Sequence, residues 1–375
     1  MNILKMYKTI VSLIFLTVFN SCVVADQEFS SDKHSFKVET VIEGLEHPWS
    51  VDFLPDGRII LTERPGRLRV FDNGQLTTIS GLPAIKTEAQ GGLLDIALDP
   101  DFINNQKIYF SYSGQDKNGV GTEVASAKLV GNELKELKIL FKALPKSRGG
   151  YHFGSRLLIN KAGNLFITLG ERGDKERAQN INDHAGSLIR INTDGTIPKD
   201  NPFINNPDAK LEIYTYGNRN MQGIAMHPDT GDVWTIEHGP QGGDELNLMK
   251  PGVNYGWPVI TYGVEYVIGT QIGEGTHKEG MAQPVHYWVP SIAASSLLFY
   301  QGDQFPNWKG NAFVSSLAFG QLARLEMDGN KVINEERLIN GKHGRIREVQ
   351  QGPDGYIYFI TDDPKGQLLK LRPLQ

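Results

Sequence analysis

The apolar positions of this chain show little helical periodicity. They fall into short runs rich in β-branched and aromatic residues, bounded by Asp-Gly, Asn-Gly and related turns, which is the pattern of strands. Arg58-Ile59-Ile60-Leu61-Thr62 follows Asp56-Gly57, and Leu68-Arg69-Val70-Phe71 runs into Asn73-Gly74. Lys107-Ile108-Tyr109-Phe110-Ser111-Tyr112 is the next such run. Asn164 to Thr168 follows Gly163, Leu188 to Ile191 precedes Asp194-Gly195, and Asp232 to Ile236 follows Thr230-Gly231. Asn311 to Val314, Ala323 to Glu326, Tyr356 to Ile360 and Leu368 to Leu371 complete the series.

The recurring unit is turn, strand, short connection, strand, turn. About six such units occur, roughly 45–80 residues apart. This spacing predicts an all-β fold, a six-bladed β-propeller of four-stranded antiparallel sheets around a central channel. A β-sandwich would show closer and more even turns. Val38 to Ile42 is placed to pair with the last unit and close the ring, which removes two exposed sheet edges. The propeller is expected over 37–375, after a polar tether over 26–36. The largest insertions, Asp194 to Lys210 and Tyr262 to Gln283, are rich in Gly, Pro and Asn. They are expected as loops on one face, where function usually sits.

Composition changes this picture little. The chain has 375 residues, 39% of them hydrophobic, enough for a sizeable core. A net charge of −5 and a pI near 6.0 give no electrostatic case for nucleic acid as a partner. The N-terminus does change it. Lys5 and Lys8 precede an apolar stretch from Ile10 to Phe19 that is too short for an ordinary membrane span. Residues 1–25 are therefore expected to be an export signal. Val23-Val24-Ala25 suits ordinary cleavage, whereas Phe19-Asn20-Ser21-Cys22 resembles a lipoprotein box. Cys22 is the one cysteine, so no intrachain disulfide can form. The expected location is the periplasm, either free or anchored to the outer membrane through a lipid on Cys22.

Five segments could carry chemistry. Glu237-His238-Gly239-Pro240-Gln241-Gly242-Gly243-Asp244-Glu245 is followed by Tyr255 in Asn254-Tyr255-Gly256-Trp257-Pro258. Backbone carbonyls in a glycine/proline turn, next to acidic oxygens, suit a hard cation such as Ca²⁺. A surface turn with an acidic pair would leave the same trace. His152 stands just before one strand and Glu171 just after the next. Adjacent antiparallel strands can bring them together. A carboxylate on one ring nitrogen fixes the tautomer and leaves the other nitrogen as a base. Histidine's ordinary pKa of about 6.5 suits that role. A histidine that only satisfies loop backbone is the alternative. In Gly217-Asn218-Arg219-Asn220-Met221-Gln222-Gly223, Arg219 suits a ligand carboxylate or an aromatic plane, and Asn220 offers donor and acceptor. A polar loop bracing two blades reads the same way. Arg345 and Arg347 share one face of a strand and repel unless an anion or a carboxylate lies between them. Gln90 precedes Gly91-Gly92, which would let backbone approach a ligand. Nothing matches a Walker A loop, a His-Glu-x-x-His helix or a cysteine-ligated metal site.

These segments occur in the order seen in the soluble aldose sugar dehydrogenases that use pyrroloquinoline quinone (PQQ). The chain resembles that family from about Val41 to Leu371. It does so through His-Phe-Gly-Ser-Arg-Leu, Gly-Asn-Arg-Asn-x-Gln-Gly and Gly-Asp-Glu-Leu-Asn…Asn-Tyr-Gly-Trp-Pro. The resemblance implies a six-bladed propeller with PQQ on its top face. It implies that His152 is the general base, oriented by Glu171. It implies that Gln90, Arg219, Asn220, Arg345 and Arg347 hold PQQ. The carbonyls of Gly239 and Pro240 would bind the Ca²⁺ that touches the quinone, and Glu245 and Tyr255 would lie at a second Ca²⁺. The implied reaction takes a hydride from C1 of an aldose sugar to the quinone, giving a lactone, with electrons leaving to an external acceptor. Tyr151, Ala318 and Val289 depart from glucose-specialised members, which favours the broader aldose branch. Two other readings compete: a Ca²⁺-dependent propeller hydrolase such as a lactonase, and a non-catalytic envelope propeller that binds a glycan or a partner.

Overall fold

The computed structural model describes residues 27–374. Six antiparallel sheets stand in a ring, five of four strands and one of five. Their innermost strands are Pro48–Phe53, Leu93–Leu98, Leu157–Ile159, Met221–Met226, Ala294–Phe299 and Ile346–Gln351. Each packs on the next, and the sixth returns to the first. The expected six-bladed propeller is the architecture. The expected export segment, with Cys22, lies outside the described residues.

Blades bury both faces of their sheets, so the second strand of a blade reads as an unbroken apolar run. Ile59–Glu63 and Ile357–Thr361 are buried at every position. Side chains from adjacent blades fill the space between them. Leu68 meets Ile108 and Phe110 between blades one and two, and Phe313 meets Ile346 and Phe359 between blades five and six.

Ser35–Leu45 pairs with Gly366–Pro373, placing Val38 opposite Leu371 and Ile42 opposite Leu368. The ring thus closes with an N-terminal strand as the outer strand of blade six. The tether expected over 26–36 needs correction. From Gln27 onward it is folded: Glu28–Ser30 pairs with the start of Ser35–Leu45. Phe29 stacks on Phe36 at 5.5 Å, and Phe36 is fully buried against Phe305 and Trp308. Two aromatics bury enough apolar surface to dock a segment whose other residues are polar.

Strand parity decides which loops meet. Connections between second and third strands, and from a fourth strand to the next blade, emerge on one face. His152, Glu171, Arg219, His238 and Arg345 all sit in such connections. Only one of the two large insertions reaches that face. The Asp194–Lys210 insertion leaves the far end of Leu188–Asn192, where Lys107 and Lys138 donate to the carbonyls of Thr193 and Asp194. The Tyr262–Gln283 insertion also starts from a third strand but climbs the edge of blade four. Gln241 N–H donates to the Val264 carbonyl there at 3.1 Å.

Arg156 closes the axis. Nε donates to the Gln222 carbonyl, one terminal nitrogen to Asp95 and Glu348, and the other to the carbonyls of Ser295 and Arg347. A guanidinium has five N–H donors, and all five are used. Its face lies 4.1 Å from the Trp49 ring centroid. One side chain at the start of blade three therefore touches the inner strands of the other five.

Candidate functional site

The site starts from a hairpin. Leu157–Ile159 and Asn164–Thr168 are antiparallel neighbours, so the residues before one and after the other meet at the same end. His152 Nδ1 and Glu171 Oε2 are hydrogen-bonded. Glu171 is buried and also accepts from Gly173 N–H at 3.0 Å. The bond at Nδ1 leaves Nε2 as the free ring nitrogen. Loop packing there is close. A Cβ on Gly170 would lie 2.3 Å from the His152 carbonyl, so only glycine lets the two loops approach.

The other candidates fall into adjoining spaces. A cavity of 570 Å³ at the ring's centre is lined by Gln90, Asn220, Arg345 and Arg347, with Trp49, Arg64 and His238. A second cavity of 460 Å³ lies beside it, lined by His152, Glu171, Arg219, Pro240 and Trp257. Neighbouring residues face each space: Arg219 the outer and Asn220 the central, Pro240 the outer and His238 the central. Arg219 is thus separated from the other four expected PQQ residues. It donates to the His238 carbonyl at 3.0 Å and lies 5.4 Å from the Trp257 ring centroid. Gln90 and Asn220 spend one atom each on the His152 loop. Gln90 Oε1 accepts from His152 N–H at 2.9 Å, and Asn220 Oδ1 accepts from Gly154 N–H at 3.0 Å.

The repulsion between Arg345 and Arg347 is partly resolved within the protein. Asp362 sits 2.5 Å from Arg347 and 3.9 Å from Arg345. Burial works against its charge, but Arg347, with His47 and Arg345, holds the carboxyl well below the usual range. The two adjoining spaces still show unmet capacity. Nε of Arg347, Nε of Arg219 and Nε2 of His238 are buried without partners. Burial, then the charges of Arg219, Arg347 and His152, push His238 down to about 3, so its ring is neutral. A buried polar atom without a partner costs roughly 1–3 kcal/mol. Three such atoms beside arginines fit a ligand rich in acceptor atoms and negative charge, as PQQ is.

Blade four supplies the cation candidates. Asp244 fixes the turn: its two oxygens accept from Gly239 N–H at 2.9 Å, Ser291 at 2.7 Å and Ala294 N–H at 3.1 Å. Gly239 must be glycine, since a Cβ would lie 2.3 Å from the Gly242 carbonyl oxygen. Gly239, Glu245 and Tyr255 line one small void with Glu237 and Thr261, while Pro240 faces the outer cavity. Glu237 and Glu245 are directly opposite across paired strands. Burial pushes Glu237 up to about 7, and burial with the facing Glu237 pushes Glu245 well above its usual range. Such a pair fits a hard cation. Tyr255 fits only through its main chain, because its hydroxyl donates to the Leu248 carbonyl and accepts from Lys250 N–H. Among the described residues, no three His, Cys, Asp or Glu side chains gather as a metal cage. A cation here would draw on carbonyls as well.

Sequence reasoning missed Asp362 and Trp49. Glu237 and His238 stood in the quoted motif, where neither had a role. Nothing in local spacing marks Asp362, which acts through partners brought to it by the ring.

The family model described as glucose/sorbosone dehydrogenase matches residues 45–370, and the chain belongs to that family. It is 41% identical to the aldose sugar dehydrogenase YliI of Escherichia coli, over 90% of this chain and 92% of that one. The structure of the soluble aldose sugar dehydrogenase from Escherichia coli in its apo-form superposes with a TM-score of 0.88 at 40% identity, covering 90% of this chain and 100% of that one. The PQQ-bound form of aldose sugar dehydrogenase from Streptomyces coelicolor gives 0.73 at 25% identity, covering 90% and 98%.

Proposed function

We propose that this member of the glucose/sorbosone dehydrogenase family is an exported, PQQ- and Ca²⁺-dependent aldose dehydrogenase that oxidises the anomeric carbon of sugars to lactones. The observation that carries the reading is the His152–Glu171 pair beside an arginine-lined cavity with unpartnered buried nitrogens. Bound in these spaces, PQQ supplies the two-electron acceptor for the sugar's C1 hydride, and Ca²⁺ supplies a Lewis acid.

The chain's own residues do the rest. His152 takes the proton of the anomeric hydroxyl at Nε2, while Glu171 at Nδ1 holds the tautomer and favours the imidazolium that forms. Arg345 and Arg347 would hold the ligand's carboxylates in the central cavity. Arg219, buried at the outer cavity, would offset negative charge that develops there. Gly239 and Pro240 would offer carbonyls to the cation near the ligand, and Glu245, with the Tyr255 main chain, to a second one. Electrons leave to an external acceptor. Export, with a lipid on Cys22, belongs to the same proposal; a mass shift that disappears in Cys22→Ser would reveal the lipid.

The test is dye-linked oxidation of an aldose panel by purified protein, with PQQ and Ca²⁺ added together or singly. Activity is expected only with both, and His152→Ala is expected to lower kcat at least ~100-fold while PQQ stays bound. Sugar oxidation unchanged in a PQQ-loaded His152→Ala protein would sink the base assignment. Lactone hydrolysis without any quinone would replace the reading with a hydrolase.

A further inference from the structure

Glu171 fixes the His152 ring, but the backbone beneath that ring needs fixing as well. His152 has φ of +51° and Ser155 of +87°. Residues with a Cβ stay in this left-handed region only where their surroundings hold them. The bond from His152 N–H to Gln90 is one such hold. A second comes from the residue after Glu171. The two terminal nitrogens of Arg172 donate to the carbonyls of Gly149 and Tyr151. Its guanidinium also lies 3.5 Å from the Phe153 ring centroid. One planar fork therefore grips residues 149, 151 and 153, and His152 sits within the gripped stretch.

Arg172 is 7% exposed, so its charge is largely removed from water. Burial pushes its pKa down to about 10, which leaves it charged near neutrality. Both hydrogen bonds go to carbonyls and neither to a carboxylate. Burying a charge without an ion pair is costly, and an apolar side chain would fill the same space against Phe153. What the guanidinium adds is a rigid pair of donors at fixed separation.

We infer that Arg172 is a positioning residue for His152, holding the backbone of the base's loop while the adjacent Glu171 holds its ring. Both grips come from one turn, so backbone and imidazole are set from a single frame. The inference rests on the reading of His152 as the base.

The test compares Arg172→Met, which keeps bulk against Phe153 but removes the donors, with Arg172→Lys, which keeps a charged donor. The first readout is the proton NMR signal of His152 Nδ1–H bonded to Glu171, recorded on protein without PQQ or sugar and assigned by its loss in His152→Ala. The signal is expected in wild type, lost or broadened in Arg172→Met, and partly kept in Arg172→Lys. The second is steady-state sugar oxidation with PQQ and Ca²⁺. Here kcat is expected to fall ~10–100-fold in Arg172→Met, as small misplacements of a reacting group do, with KM and quinone retention near wild type. Arg172→Lys is expected to lie between, and it carries the test if Arg172→Met does not fold. A retained His152 signal with kcat within ~2-fold of wild type would overturn the inference. If the signal behaves as expected but wild type oxidises no sugar, the positioning role stands and the dehydrogenase reading falls.

Discussion

Two of the clusters of buried charge in this propeller are built differently. On the axis, Arg156 meets Asp95 and Glu348, and every one of its N–H groups has a partner. The carboxylates are matched too: Asp95 also accepts from Leu157 N–H, and Glu348 from the Ser50 hydroxyl and Val51 N–H. In blade four, Glu237 and Glu245 face each other with amide donors around them and, among the described residues, no ion pair of their own; Arg219 lines the same void but only partly offsets the charge of Glu237. A matched cluster is complete without a ligand and holds the ring together. An unmatched one is complete only when protons or a metal ion arrive. The contrast separates structure from site without reference to any relative.

The largest expected effect breaks the matched cluster. Arg156→Met would leave Asp95 and Glu348 buried without their shared cation, which typically costs ~3–5 kcal/mol. Chemical denaturation should show this loss equally in Ca²⁺ and in chelator, because no metal takes part in the cluster. A loss below ~1 kcal/mol would show that the axis is held by packing alone, and the comparison would lose its structural half.

A smaller effect is expected from pH at the unmatched pair. Glu237 has a folded pKa of about 7 against an ordinary 4.5, so between those values the folded state holds a proton that the unfolded state has lost. Its contribution to stability is present below about 4.5 and disappears as pH rises through about 7. Glu245 moves in the same direction. Glu237 alone should therefore cost metal-free protein on the order of 2–3 kcal/mol between pH 5 and pH 7.5, and Glu245 adds to that loss. Saturating Ca²⁺ should flatten the curve, because a bound cation replaces the protons. Burial also raises Glu348, to about 8, and that part of the slope should persist in Ca²⁺. Equal stability of the chelated protein at both pH values would mean that the pair is better solvated than its burial implies.

What the sequence made legible follows the range of each interaction. The second strands of the blades were readable because burial on both faces leaves unbroken apolar runs. His152 and Glu171 were readable as a pair because a hairpin is local. The side assigned to Asp194–Lys210 was wrong because parity depends on counting every strand. Leu157–Ile159 and Ile213–Thr215 have three residues each, too few for a pattern to show. Contacts across the ring were beyond reach for the same reason. Arg156 meets Glu348 across 192 positions, and only ring closure brings them together. The segment read as a tether was misjudged by its polarity, although Phe29 and Phe36 carry the burial.

The smallest effect has the opposite sign, and it is the sharpest test of the contrast. Glu245→Gln in chelated protein at pH 7.5 should raise stability by ~0.2–1 kcal/mol, because it removes a buried carboxyl that faces Glu237 directly across paired strands. Asn247 donates to Glu245 at 3.1 Å, and a glutamine carbonyl can accept the same bond. Glu237 is the wrong residue to change. It accepts from Asn218, Asn247 and Arg219 N–H, so its replacement would disturb three donors at once. The same Glu245→Gln protein should lose most of the stabilisation by Ca²⁺ and much of the pH slope. A variant that is more stable without the ion and indifferent to it would show that Glu245 is kept for binding at a cost to the fold. A variant destabilised in chelator would place Glu245 with Arg156 among the residues that hold the ring together.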